Sequence, residues 1–221
     1  MKLENIKANF LGDSITEGCG VSSPDKVFHA LIKDKYGLKE ARNYGKGGTR
    51  IARQSEIKDP DNPRDEDFIM RAEKMDDDAD LIVVFGGTND YGNGQAPLGE
   101  ITDKHVFTFY GAVHTLCVNL IRKYPSSQIV FVTPLHRWNE DGGLGTWKPE
   151  GVKQHCLSAY ARAVKEVCEL YSIPVLDMFG SGSMPIHIPE YAKIYTCDGL
   201  HPNDEGHKIL ASKLGKFLEN L

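Results

Sequence analysis

Short apolar, β-branched runs recur along the chain between longer segments of helical period, and this alternation constrains the fold more than any other feature. Strands separated by helices are joined by crossovers and therefore run parallel, and a parallel sheet is buried on both faces. Five strands are predicted, at Ala8–Leu11, Ala41–Tyr44, Leu81–Phe85, Ile129–Thr133 and Pro174–Asp177, the third and fourth being unbroken apolar runs suited to the sheet centre. Helical period is clearest over Lys104–Tyr124, where Val106, Phe109, Val113, Leu116 and Leu120 form one stripe and Pro125 supplies the stop. Gly151–Tyr171 repeats the pattern through Val152, Cys156, Tyr160, Ala163, Val167 and Leu170. A last helix, from Asp204 to Leu218, carries Ile209, Leu210, Leu214 and Phe217 behind Asn203, a favoured N-cap residue. The Asp- and Pro-rich segment Lys58–Asp67 and the Gly- and Trp-bearing segment Leu135–Pro149 read as loops. With no repeat and no linker, residues 1–221 are expected to form a single α/β domain.

In an open parallel sheet, ligands bind beyond the carboxyl ends of the strands, where loops vary freely and helix N-termini converge. The segments predicted at those ends are small and polar: Gly12-Asp13-Ser14 after the first strand, Asn43-Tyr44-Gly45-Lys46-Gly47-Gly48 around the second, Gly86-Gly87-Thr88-Asn89-Asp90 after the third. Near the chain end, Asp198 stands three residues before His201, just ahead of the last helix. A serine hydroxyl needs a base to become a nucleophile, and an imidazole held in one tautomer by a carboxylate is such a base. Ser14, His201 and Asp198 are therefore the candidate triad. The tetrahedral oxyanion of acyl transfer needs fixed donors, which the Ser14 N–H, a glycine N–H among Gly45, Gly47 and Gly48, and the Asn89 amide can supply. Asp13, beside the serine, and Trp138 and Trp147, on the loop after the fourth strand, are the candidate substrate contacts. The other histidines, His29, His105, His114, His136, His155, His187 and His207, show no paired-ligand spacing, so packing or surface roles are expected and no metal site is predicted.

Composition removes several function classes. The net charge is -5, and no block of Lys and Arg offers a surface for nucleic acid or anionic lipid. Five cysteines, odd in number and without a C-x-x-C pair, argue against a disulfide framework. No apolar leader or spanning stretch is visible, so a cytoplasmic protein is expected. G-x-S-x-G, Walker A and G-x-G-x-x-G sequences are all absent.

The blocks GDSITEG, NYGKGGT, GGTND and DGLHPN, in this order and spanning nearly the whole chain, resemble those of the SGNH (GDSL-type) hydrolases, named for the Ser, Gly, Asn and His that the blocks contribute. The resemblance implies a flavodoxin-like, three-layer α/β/α sandwich with a five-stranded parallel sheet of order 2-1-3-4-5. It also implies cofactor-free, metal-independent hydrolysis of a small-molecule ester through an acyl-enzyme. Counted from Asn43, Gly48 holds the place of the family's oxyanion glycine. Short acyl groups, such as O-acetyl on carbohydrate, are the expected substrates. A lysophospholipase- or thioesterase-type lipolytic enzyme and an acyltransferase with the same triad are the rivals, and a non-catalytic carbohydrate-binding relative is a more distant one. No nucleic acid or membrane span is expected; a homo-oligomer is compatible with the sequence.

Overall fold

The computed structural model describes residues 1–54, 65–141 and 150–221. Its strands, β1 (Lys7–Gly12), β2 (Glu40–Gly45), β3 (Leu81–Phe85), β4 (Gln128–Val132) and β5 (Val175–Leu176), pair in parallel throughout and in the order β2-β1-β3-β4-β5. Because side chains alternate along a strand, register decides which residues share a face. Leu11 pairs with Val84 and Val84 with Phe131, so these three lie on one face. Phe10, Val83 and Val130 are likewise in register on the other.

Two separate buried clusters result, one on each face of the sheet. Leu11, Ile82, Val84 and Phe131 pack with helices α3 (Phe68–Glu73), α5 (Phe109–Lys123) and α6 (Leu157–Leu170). Phe10, Val83, Phe85 and Val130 pack with α2 (Phe28–Tyr36) and α9 (Asp204–Glu219). The molecule is thus the three-layer α/β/α sandwich, with the topology the motifs implied. Four shorter helices, α1 (Ser14–Glu17), α4 (Thr88–Gly92), α7 (Met178–Ser181) and α8 (Pro189–Tyr195), complete the α-helices of the described residues.

The sequence pattern misplaced several boundaries. The helix expected from Lys104 starts at Phe109, because Thr108 caps it by accepting the Gly111 N–H at 3.2 Å, while the Phe109 and Tyr110 N–H groups donate to Pro97 and Leu98 carbonyls. The helix expected from Gly151 starts at Leu157, whose N–H donates instead to the Glu140 carbonyl at 2.9 Å. Its buried stripe includes Leu157, Val164 and Cys168 alongside Tyr160, Ala163 and Val167, whereas Cys156 and Leu170 are exposed. Helix α2 had no predicted counterpart, and β5 keeps only two of its four expected residues. Residues 55–64, most of the loop expected at Lys58–Asp67, and residues 142–149 of the second loop lie outside the described residues. All five cysteines are free thiols. Among the described residues no helix is long and apolar enough to cross a membrane.

The tightest approach of backbone to a sheet glycine is at Gly45, where a Cβ would lie 2.1 Å from the Glu17 nitrogen and 2.5 Å from the Thr16 carbonyl carbon. This contact seats α1 on the end of β2. Gly45→Ala is therefore expected to lower stability by about 1–3 kcal/mol, the usual cost of overpacking a filled site. Urea unfolding checks it: a lowered midpoint at unchanged m-value is the expected result, and an unshifted midpoint would mean that α1 and β2 stand further apart.

Candidate active site

The chain turns sharply at the end of β1 and enters α1 with Ser14 as its first residue. Asp13 caps this helix by accepting the Ile15 N–H at 3.0 Å. As a first-turn residue, Ser14 has an N–H with no acceptor inside its own helix. Its side chain is nearly buried, at 7% residual exposure.

From the far end of the chain, the turn Asp198–Asn203 brings two more groups to the same place. Gly199 adopts a left-handed φ of 80°, a conformation glycine enters without Cβ strain, and its N–H donates to Thr196 Oγ1. The turn is closed by the Cys197 N–H donating to the His201 carbonyl at 3.0 Å. Asn203 then caps α9, accepting N–H bonds from Glu205 and Gly206. Held this way, His201 faces Ser14 Oγ through Nε2 at 3.0 Å and Asp198 Oδ2 through Nδ1 at 2.6 Å. Asp198 Oδ1 accepts two further bonds, from the Leu200 and His201 backbone N–H groups. Partial burial pushes the Asp198 carboxyl up, but the hydrogen bonds it receives outweigh that and hold it below the usual carboxylate range. An ionised carboxylate on Nδ1 leaves Nε2 as the lone-pair nitrogen facing the hydroxyl.

Donors stand close by. Asn89, at the start of α4, is buried and gives one amide hydrogen to the Thr49 carbonyl at 3.0 Å, which orients the group and leaves its second hydrogen available. Of the three glycines, Gly45 donates its N–H to Asn43 Oδ1 at 2.8 Å and Gly47 donates to Glu17 Oε2 at 2.7 Å. Gly48, with φ at 78°, gives its N–H to no acceptor among the described residues.

Residues that the sequence did not single out lock these turns together. The Arg71 guanidinium, buried beneath them, donates to the Gly12 carbonyl at 3.0 Å from both terminal nitrogens, to Thr49 Oγ1 at 2.8 Å and to the Tyr44 carbonyl. Burial pulls its pKa down to about 10, with Asp13 the largest opposing charge, so it remains a cation at neutral pH. Asp90 accepts the Ile51 and Ala52 N–H groups at 3.0 and 2.8 Å, joining the turn after β3 to the turn after β2. Asp90 was within reach of sequence reasoning as the immediate neighbour of Asn89; Arg71 left no local signal, since it acts on residues 22 to 59 positions away.

The other candidates fall as follows. Asp13 is buried beside Ser14 as a helix cap. Trp138 lies against Gly199, donating its backbone N–H to the Gly199 carbonyl and its indole N–H to the Ile186 carbonyl, both at 3.0 Å. It lines a hollow of about 240 Å³ with Pro189, Lys193, Cys197 and Asp198. Trp147 lies outside the described residues. His29 and His207 are buried, His207 Nδ1 accepting the Phe28 N–H at 3.2 Å, and burial pushes each down to about 4.

Residues 10–209 match the model of the GDSL-like lipase/acylhydrolase family. Among solved structures, a Lactobacillus plantarum protein is 30% identical with a TM-score of 0.82, the match covering 98% of each chain. A lipase/acylhydrolase from Enterococcus faecalis is 22% identical with a TM-score of 0.64, covering 97% of this chain and 96% of that one. An acetylxylan esterase from Geobacillus stearothermophilus is 23% identical with a TM-score of 0.60, covering 98% and 95%. No curated protein matches the chain.

Asp13 makes the region's stability depend on pH. Burial, opposed by the Ile15 N–H and by His201, raises its carboxyl to about 6 from the ordinary 3.8. The folded state then holds a proton that the unfolded chain releases, so this contribution is intact below pH 4 and is lost as pH rises through 6. Asp13→Asn keeps the capping oxygen without the charge. Relative to wild type, it is expected to gain about 3 kcal/mol between pH 4 and pH 7, by the conversion of a two-unit shift. Parallel urea titrations at several pH values check this; a pH-independent difference would show that Asp13 is not desolvated.

Proposed function

The chain belongs to the GDSL-like lipase/acylhydrolase family, and on that premise we propose that it is a serine esterase whose nucleophile is Ser14, with His201 as base and Asp198 as its orienting carboxylate. The single observation that carries this is the relay in which Ser14 Oγ meets His201 Nε2 at 3.0 Å and His201 Nδ1 meets Asp198 Oδ2 at 2.6 Å. His201 takes the hydroxyl proton as Ser14 Oγ attacks the ester carbonyl. The C–O bond to the alcohol breaks, His201 returns the proton to that oxygen, and the acyl group stays on Ser14. Water, deprotonated by His201, then attacks the acyl-enzyme; the C–Oγ bond breaks and Ser14 regains its proton.

The oxyanion in both steps is assigned to the N–H groups of Ser14 and Gly48 and the second amide hydrogen of Asn89. Gly48 is preferred to Gly45 and Gly47 because their N–H groups are already committed. Donors fixed before the reaction need no reorganisation when charge develops, the main source of their effect. Arg71 and Asp90 act through these groups and are positioning residues.

For the substrate we propose a short acyl ester, such as an O-acetyl group on a carbohydrate. The fold is shared with a protein described as an acetylxylan esterase, and Trp138 places an aromatic face beside the turn that carries Asp198 and His201.

Hydrolysis of p-nitrophenyl acetate and longer esters, with chelator present, tests this reading. Wild type should turn over and Ser14→Ala should not, while Asn89→Ala should lose about 10²–10³ in kcat. Fastest turnover on long chains would move the enzyme to the lysophospholipase and thioesterase type. Equal rates for wild type and Ser14→Ala would remove the serine mechanism altogether. Product analysis with added sugar separates hydrolysis from acyl transfer.

A further inference from the structure

On the loop that leaves β4, a second group of chemically active side chains converges. His136 and Glu140 come from that loop, and His187 from the segment leading into α8. Glu140 Oε1 lies 2.7 Å from His136 Nδ1 and 2.9 Å from His187 Nε2. The three ligand-type atoms are all within 4.8 Å of one another. Glu140 is itself almost fully buried, at 7% exposure.

We propose that His136, Glu140 and His187 form a binding site for a divalent transition ion, zinc by preference, separate from the esterase centre and bracing it. Two imidazole nitrogens and one carboxylate oxygen are a recognised donor set for zinc, which holds three protein ligands and one water in a tetrahedron. With bonds of about 2.0–2.2 Å, tetrahedral donors stand roughly 3.3–3.6 Å apart, so the two separations from Glu140 need widen by roughly 0.4–0.9 Å. Each imidazole then carries its proton on the ring nitrogen away from the ion.

The surroundings supply what such a site requires. Glu140 Oε2 accepts the Arg137 N–H at 2.9 Å, and the Glu140 carbonyl accepts the Leu157 N–H at 2.9 Å, so the carboxylate is fixed from behind. The residue before it, Asn139, is held at a left-handed φ of 57°, which turns Glu140 back under His136, and Tyr91 donates its hydroxyl to the Asn139 carbonyl. The His136 ring rests on Phe179 with centroids 4.1 Å apart. His136 also lines a hollow of about 760 Å³ with Phe179, Met184 and Ile188, which gives an ion its entry path and a water its place.

An ion here would tie the β4 loop to the segment before α8. Trp138, between His136 and Glu140, bonds to the Gly199 carbonyl within the Asp198–His201 turn. Loading would therefore stiffen that turn without touching the reacting atoms. The spacing of the histidines gave no hint of this, because His187 is 47 residues from Glu140.

The test is equilibrium dialysis of metal-stripped protein against zinc, together with cobalt titration followed by its visible d–d absorption. Cys197, Asp198 and His201 also lie within metal-binding distance of one another, so His201→Ala serves as the control. Wild type and His201→Ala should each bind about one ion, with the strong visible bands of a four-coordinate cobalt site. At zinc about 100-fold above its Kd, Tm should rise by about 5–10 °C. His187→Ala, altered at a half-exposed position, and Glu140→Gln should each weaken binding at least about 100-fold while keeping wild-type circular dichroism. Binding that survives in His187→Ala but is lost in His201→Ala, or no binding by wild type, would overturn the proposal.

Discussion

The carboxyl edge of this sheet depends on one desolvated guanidinium. Four turns must meet for the site to exist, and those at the ends of β1 and β2 present the Gly12 and Tyr44 carbonyls and the Thr49 hydroxyl to one largely buried space. Arg71 fills that space and donates to Gly12, Tyr44 and Thr49. Burying a cation is costly, and the cost is offset only because its planar fork finds acceptors on several sides. The same charge lies near Asp13, yet burial of Asp13 still dominates its titration. Removing either partner of such a network exposes the desolvation cost of the other, so the turns hold together as a unit.

Around that anchor the labour is divided unevenly. The Ser14 and Asn89 turns grow from β1 and β3 within the sheet and the Gly48 turn from β2 at its edge, where register fixes them. The imidazole and its carboxylate instead come from a turn between two helices, and their side chains remain 23% and 47% exposed. That turn is held by bonds to its own backbone, by the Asn203 cap on α9 and by Trp138 pressed on Gly199. Rigid donors and a more open imidazole suit the proposed reaction, in which that imidazole moves protons among hydroxyl, alcohol and water.

What could be read in the sequence followed the range of the interactions. The strand order followed from the family resemblance; Ser14, Asn89, and the Asp198 and His201 pair sit in short motifs whose chemistry is local, and the structure brings Ser14, Asp198 and His201 together. Among three candidate glycines, sequence alone offered only a position counted from Asn43; the structure distinguishes them by which N–H groups are already taken. Helix starts at Phe109 and Leu157 were misplaced because their first N–H groups are accepted by Pro97, Leu98 and Glu140, partners no periodicity encodes. Arg71 and the His136–Glu140–His187 group were invisible for the same reason: their meaning lies in contacts across tens of residues.

The hydrogen bond between Ser14 and His201 joins residues 187 positions apart. The imidazole leaves the ribosome long after the hydroxyl, so a chain cut before His201 holds Ser14 without it. The turn that carries His201 runs directly into α9, which packs against α2 in the cluster on one face of the sheet. The meeting of the two groups is thus a contact between distant parts of the chain, and the proposed chemistry, which rests on it, would be absent from such a fragment.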